Sequence, residues 1–378
     1  MADPYQPVYL DTADRAALFL DSVADVRELA IDTEGASFHR YVDRIYLLQL
    51  STQHHSAIID PLHAGVLPKL GSLMENREVE VIFHDADYDL RLLRQDYGWR
   101  ATHVFDTRIA AQLLGIPAFG LAALLEKFFG VKLDKQHQRA DWSMRPLTSA
   151  MLDYAAQDTR YLLDLRDELR TGLESLGRIA WAEEEFERLE SVQFAPDDPA
   201  TAFMRTKGAR DLKRRELAVL RELVAWRDER AAALDRATFR VMGNEAMFEI
   251  ARVHPATREQ LAAIKGVPRG VVERHAAELI DAVARGLAIP EADLPRFPRA
   301  ARWDHDPDFD ANVAKLKTVR DTVAARLKLD PGVLCARDRL EAVARRKPTS
   351  SEALEEIPEL RRWQAEVLGA EFVAALRG

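Results

Sequence analysis

The first 110 positions alternate between short apolar runs and polar breaks. VYL (8–10), LAIDTE (29–34), IYLLQLS (45–51), SAIID (56–60), VEVIFHDA (79–86) and HVFDT (103–107) read as strands bounded by turn residues. Residues 13–29 have helical spacing through Ala17, Leu18, Leu20, Val23, Val26 and Leu29, with Thr12 or Asp14 placed to start the helix. Further helical stretches follow at about 87–96, 107–114 and 120–129. Three close strands, then strands alternating with helices, predict a mixed α/β sheet. From about 148 to 192 the period becomes helical: Thr148 can cap a helix running through Leu152, Ala155, Tyr161 and Leu165.

Two proline- and acid-rich linkers divide the remainder, SVQFAPDDPA (191–200) and the stretch 289–310. Between them, residues 208–287 are almost wholly helical. Residues 311–378 repeat that module loosely: RLEAVARRKPTSSEALEEI parallels MFEIARVHPATREQLAAI in its order of helix, proline, threonine and Glu-x-Leu. The expected organisation is an α/β domain over 1–195, an all-α bundle over 205–290 and a second, divergent one over 308–378.

Composition narrows the class. The 378 residues are 47 % apolar and 30 % charged, which excludes low-complexity and collagen-like chains. A single cysteine, Cys335, cannot form an internal disulfide. The N-terminus lacks the basic-then-apolar pattern of a signal peptide, and no apolar run is long enough to span a membrane, so a cytoplasmic protein with no membrane partner is expected. The net charge of −9 argues against a nucleic-acid binder until it is divided: residues 1–200 carry −14, 201–290 carry +5, and 291–378 are neutral.

Three groups of acids suggest chemistry. Asp32 and Glu34 end an apolar strand two residues apart, so both carboxylates point to one face. Side by side they repel each other, a conflict that a divalent cation removes. Taken alone, Asp-x-Glu reads as a pair of solvated turn acids. Tyr154 and Asp158 are four apart on a helix and share a face, while Asp153 points away; alone they read as a half-buried tyrosine beside a surface acid. In HDADYDL (84–90), Asp85 and Asp87 suit a helix start, whereas Asp89 reads either as an acid deeper on an apolar helix, placed for a role at the strand ends, or as a first-turn acid. Together Asp32, Glu34, Asp89 and Asp158 could hold two Mg²⁺ or Mn²⁺ ions, with Tyr154 orienting a water.

With these residues in view, the sequence resembles the ribonuclease D family, in the tyrosine-bearing branch of the DEDD 3′→5′ exonucleases. IDTEG, FHDADYDLRLL and YAAQDTRYLL match its three motifs, and DWSMRPL precedes the third as it does there. LREL-x-x-W-R (220–227) and MFEIARVHPATREQLAAIKGV resemble the HRDC module of ribonuclease D and RecQ-type helicases. The resemblance implies a ribonuclease H-like exonuclease fold followed by two HRDC-type bundles. It implies Asp32, Glu34, Asp89 and Asp158 as metal-binding acids beside Tyr154. It further implies two-metal hydrolysis from single-stranded RNA 3′ ends, such as those of tRNA precursors, releasing 5′-mononucleotides. A Werner-type 3′→5′ DNA exonuclease and a non-catalytic RNA-binding adaptor are the alternatives. The third module matches weakly, which leaves open whether it binds RNA or packs.

Substrate contacts are less defined by sequence. Phe38, His39, Tyr41 and Tyr46 follow the acid pair and suit either base stacking or packing. His84 suits a phosphate contact or a buried hydrogen bond. Residues 135–139 (Lys135, Gln136, His137, Gln138, Arg139) and Arg145 read equally as loop and as phosphate contacts. RTKGARDLKRRE (205–216) has six bases against two acids, with Lys207, Arg210 and Lys213 as candidate nucleic-acid-binding residues or a solvated helix face.

Overall fold

The structure is a computed structural model that describes residues 7–298 and 306–377, except 66, 135 and 197. Six strands form one sheet: β1 (Val8–Leu10), β2 (Glu28–Glu34), β3 (Leu47–Ser51), β4 (Ser56–Ile59), β5 (Glu80–Phe83) and β6 (Val104–Asp106), in the order β1-β4-β3-β2-β5-β6. β3 runs antiparallel to both β2 and β4, and the other pairings are parallel. The mixed sheet is therefore as the apolar runs predict.

Nine helices accompany it among the described residues: α1 (Ala13–Ser22), α2 (Pro61–Ala64), α3 (Pro68–Met74), α4 (Asp87–Tyr97), α5 (Thr107–Leu113), α6 (Leu121–Phe129), α7 (Ser149–Arg160), α8 (Leu162–Ser175) and α9 (Ile179–Glu190). Two differ from the periodicity. α1 starts after Thr12, whose hydroxyl accepts the Arg15 N–H, but it ends at Ser22 rather than 29. Its expected last turn is lost because β2 takes Leu29, which pairs with Val81. The helix after Thr148 breaks at Tyr161 (φ −108°, ψ 4°), so Leu165 belongs to a separate helix. α2 and α3 were not anticipated; each has proline in its first turn, which preorganises the backbone there.

Alternation sorts the sheet into two faces. Leu29, Ile31, Leu48, Leu50, Val81 and Phe83 pack with α1, α3 and α4. Ala30, Ile82 and Phe105 face a second core that runs through α5, α6, α8 and α9. That second core continues into the C-terminal helices, α16 (Phe309–Leu327), α17 (Pro331–Leu334), α18 (Arg337–Arg346), α19 (Ser351–Glu355) and α20 (Arg362–Arg377), which follow six helices of the other unit in the chain. Trp363 stacks on Trp181 (4.9 Å, 17°), and its indole N–H donates to Glu185 (3.0 Å), which also pairs with Arg361 (3.0 Å). The third segment thus packs as part of the exonuclease unit.

The other compact unit holds Gly35–Arg44 and the chain from Ala195 through α10 (Ala202–Arg205), α11 (Arg214–Leu234), α12 (Thr238–Val241), α13 (Asn244–Val253), α14 (Arg258–Ala262) and α15 (Arg269–Ala288). α11 and α15 form its spine. Gly286 permits their close approach: a Cβ there would meet the Val219 Cα at 2.6 Å. The Trp226 indole donates to Glu278 across the same pair (2.7 Å).

Candidate active site

β2 delivers the acid pair because a strand turns alternate residues to the same side. Asp32 and Glu34 lie on the face that carries Ala30. α7 crosses this face. Its Ala155 and Ala156 are buried, and the Thr159 hydroxyl is hydrogen-bonded to that of Ser51 on β3 (2.8 Å). Asp158, next to Thr159, and Tyr154, one turn before Asp158, are presented to the strand end. The ligand atoms of Asp32, Glu34 and Asp158 lie within 4.8 Å of one another, with all three residues half-buried.

Asp89 arrives by another route. It sits in the first turn of α4, on the opposite side of the sheet, where Leu90 and Leu93 anchor the helix in the core. Thr33 points to that side between the two acids. Its backbone N–H (3.0 Å) and its hydroxyl (2.5 Å) both donate to one Asp89 oxygen. Asp89 is therefore buried next to the cluster but is not one of the three converging carboxylates. Sequence reasoning missed Thr33, although strand alternation at its position was the available signal.

The acids strain one another electrostatically. Burial, and then the Asp158 charge, push the Asp32 carboxyl well above its ordinary range. Burial followed by Asp32, Asp158 and Asp89 does the same to Glu34. Asp89 is raised by burial and then by Asp32. Asp158 is pushed up to about 7 by burial and then by Asp89. Such a site resists full ionisation unless a cation enters. A donor set of hard carboxylate oxygens, converging and short of positive charge, fits a divalent ion such as Mg²⁺ or Mn²⁺. Burial, and then Asp158, Glu34 and Asp32, raise the Tyr154 phenol above its ordinary value, so its hydroxyl keeps its proton at neutral pH. The Tyr154 ring packs between His137 and Trp142, each 6.0 Å away, which brings the DWSMRPL segment to the site.

Several neighbouring candidates are accounted for differently. Arg145 is committed internally: it donates to both Asp60 oxygens (2.6 and 2.8 Å) and to the carbonyls of Tyr46, Trp142 and Met144. The loop reading of Arg145 holds, and the phosphate reading has no donor left to use. His84 is hydrogen-bonded to the Thr107 hydroxyl (2.9 Å), and burial lowers its pKa to about 4, so it is neutral. Tyr46 is buried, Tyr41 donates to Asp228 (2.7 Å), and Phe38 is exposed with an edge-on contact to Phe239. Lys135 lies outside the described residues. Lys207, Arg210 and Lys213 are exposed along the approach to α11: Lys207 in a turn, Arg210 in a short 3-10 helix (Ala209–Asp211) with its guanidinium over the Phe297 ring (4.8 Å), and Lys213 at the N-cap of α11. Arg214 and Arg215 beside them are instead tied to Glu291 and to nearby carbonyls.

A family model described as 3′-5′ exonuclease matches residues 7–174, and the HRDC domain model matches twice, at 216–283 and 310–376. A ribonuclease D of Granulibacter bethesdensis is 33 % identical over 353 residues, spanning 93 % of this chain and 87 % of that protein. The chain belongs to the ribonuclease D family. A ribonuclease D of Gluconacetobacter diazotrophicus is 30 % identical over 98 % of this chain and 93 % of its own length. The crystal structure of Escherichia coli RNase D, an exoribonuclease involved in structured RNA processing, superposes with a TM-score of 0.77. It has 26 % identity, covering 98 % of this chain and 99 % of that one. Membership of the ribonuclease D family agrees with the sheet, the acid cluster and the paired helical modules. The chain is an enzyme, a 3′-5′ exonuclease of that family. Among the described residues, no helix is long and apolar enough to cross a membrane.

Proposed function

We propose that this protein is a metal-dependent 3′→5′ exoribonuclease that hydrolyses phosphodiester bonds at single-stranded RNA 3′ ends and releases 5′-mononucleotides. The observation that carries this reading is the convergence of Asp32, Glu34 and Asp158 within 4.8 Å at the end of a strand. In this reading these three side chains hold one divalent ion, while Asp32, supported by Asp89, takes part in a second. Bound Mg²⁺ or Mn²⁺ ions supply an activated water and charge stabilisation for in-line displacement at phosphorus. The chain's own part is positional. Thr33 fixes the Asp89 carboxylate. Tyr154, kept protonated by burial and by its acidic neighbours, offers a hydroxyl that can orient the attacking water.

The substrate class follows the relatives: structured RNAs, with tRNA precursors as the expected example, processed in the cytoplasm. Residues 1–195, 205–290 and 308–378 serve as nuclease, first HRDC module and second HRDC module. The exposed Lys207, Arg210 and Lys213 supply attraction for the phosphate backbone in a unit that carries net positive charge.

The test uses 5′-labelled RNA and DNA single strands with Mg²⁺ or Mn²⁺. Stepwise shortening of RNA from its 3′ end supports the reading, and Asp158→Asn should abolish it while leaving RNA binding largely intact. Equal or faster degradation of DNA would favour the DNA exonuclease. Tight binding without cleavage would favour an adaptor.

A further inference from the structure

β2 and β3 pair in a register that sets Gln49 directly opposite Asp32. Residues paired across antiparallel strands share a face, with Cβ atoms about 4.5–5.5 Å apart. The neighbours identify the face. Ser51, two residues along β3, bonds Thr159 of α7, whereas Leu48 and Leu50 belong to the core on the other side. Gln49 is completely buried, at 0 % exposure. Among the described residues, neither its Nε2 nor its Oε1 has a hydrogen-bond partner.

A buried primary amide with both ends unpaired is unfavourable, and native interiors rarely keep one. Leucine, which β3 carries on both sides of this position, would fill the space without that penalty. The hydroxyl groups on the same face do not relieve it, because Ser51 is paired with Ser56 and Thr159. Packing therefore does not explain an amide at position 49, and the group directly across the ladder is the Asp32 carboxylate. A carboxylate that gives one oxygen to an ion must have its other oxygen held by a donor if it is to keep its orientation.

We propose that Gln49 is a positioning residue for the metal-binding acids, its Nε2–H donating to the Asp32 oxygen turned away from the ion and its Oε1 accepting from a water of the ion's shell. The inference rests on the reading of Asp32, Glu34 and Asp158 as a metal site.

The full chain, freed of metal, is titrated with Mn²⁺ by calorimetry as wild type, Gln49→Met, Gln49→Leu and Asp158→Asn, and each form is melted in EDTA. Methionine keeps the length of glutamine without its amide. The expected result is a Tm in EDTA equal to or above wild type for the Gln49 variants, with the Mn²⁺ Kd raised about tenfold or more. A folded Gln49 variant with an unchanged Kd overturns the proposal. In wild type carrying isotope-labelled glutamine, the side-chain amide signal of Gln49 should move on adding Mg²⁺. An unmoved signal overturns the proposal even if both variants fail to fold. The Asp158→Asn arm separates the two readings. If it binds Mn²⁺ as wild type does, the metal site itself is refuted. If it loses binding while Gln49→Met keeps it, only the role of Gln49 falls.

Discussion

Replacing Asp158 by asparagine should abolish cleavage and at the same time make the metal-free protein more stable. The raised pKa of Asp158 requires this. In the folded chain its carboxyl is held at about 7 against an ordinary 3.8, first by burial and then by Asp89. An acid with a raised folded pKa binds more protons in the native state than in the unfolded state, so stability falls as pH rises from the unfolded value through the folded one. At about 1.36 kcal/mol per pH unit, ionising Asp158 in the metal-free fold opposes folding by about 4 kcal/mol at pH 8. Asparagine removes the charge and can donate a hydrogen bond to the carboxylates that remain. In EDTA at pH 8 the variant should gain up to about 4 kcal/mol, roughly 10 °C in Tm for a unit of this size. Near pH 4 the two proteins should melt together, because Asp158 is then protonated in the native wild type. Mn²⁺ at 100 times its Kd should return about 2.7 kcal/mol to wild type and little to the variant. Thermal melts across pH 4–8, with and without Mn²⁺, read all of this. A variant that is no more stable than wild type at pH 8, or a difference that does not change with pH, would refute the electrostatic account of the cluster.

Other consequences can be measured independently. Arg145→Met leaves Asp60, at 0 % side-chain exposure, as a buried charge without its main partner, and should cost about 3–5 kcal/mol at pH 7 in denaturant titrations. Burial pushes the Asp60 pKa up, but the hydrogen bonds from Arg145, His63 and Tyr9 outweigh it and hold it at about 2. The contribution of the pair is thus present above pH 4 and lost as pH falls towards 2, and the variant's deficit should shrink in that window. Trp363→Ala should destabilise the exonuclease unit by about 3–5 kcal/mol, seen as an earlier unfolding transition for the nuclease and not only for the C-terminal helices. Reversing Lys207, Arg210 and Lys213 to glutamate should weaken RNA binding and lower the slope of log K against log salt by about 2; an unchanged slope would remove these residues from the interface.

Much of the catalytic unit is legible in the sequence because its signals are local. The two-residue period of β2 puts Asp32 and Glu34 on one face whatever else the chain does, and the helical period puts Tyr154 and Asp158 together for the same reason. Thr148 stops the preceding loop and starts α7, again through a local hydrogen bond. Where local period and tertiary pairing compete, the pairing prevails: α1 is cut short because Leu29 is needed in the sheet.

Contacts between distant segments lie beyond that reach. Periodicity gives a residue its face but not its neighbour, since the neighbour depends on register and on which segments share a core. The register of β3 against β2 sets Gln49 against Asp32, and the packing of α4 on the far side of the sheet brings Asp89 to Thr33. Arg145 looked available for phosphate until the fold gave every donor a partner, Asp60 foremost, 85 residues away in the chain. From sequence the second helical module could bind RNA or pack; the structure seats its Trp363 on Trp181 of α9. Which residues can do the chemistry is written in residue type and short-range period, which are properties of the chain. Which of them meet, and which are spent on holding the fold, is settled by folding, because burial and hydrogen-bond partnership arise when remote segments exclude water together.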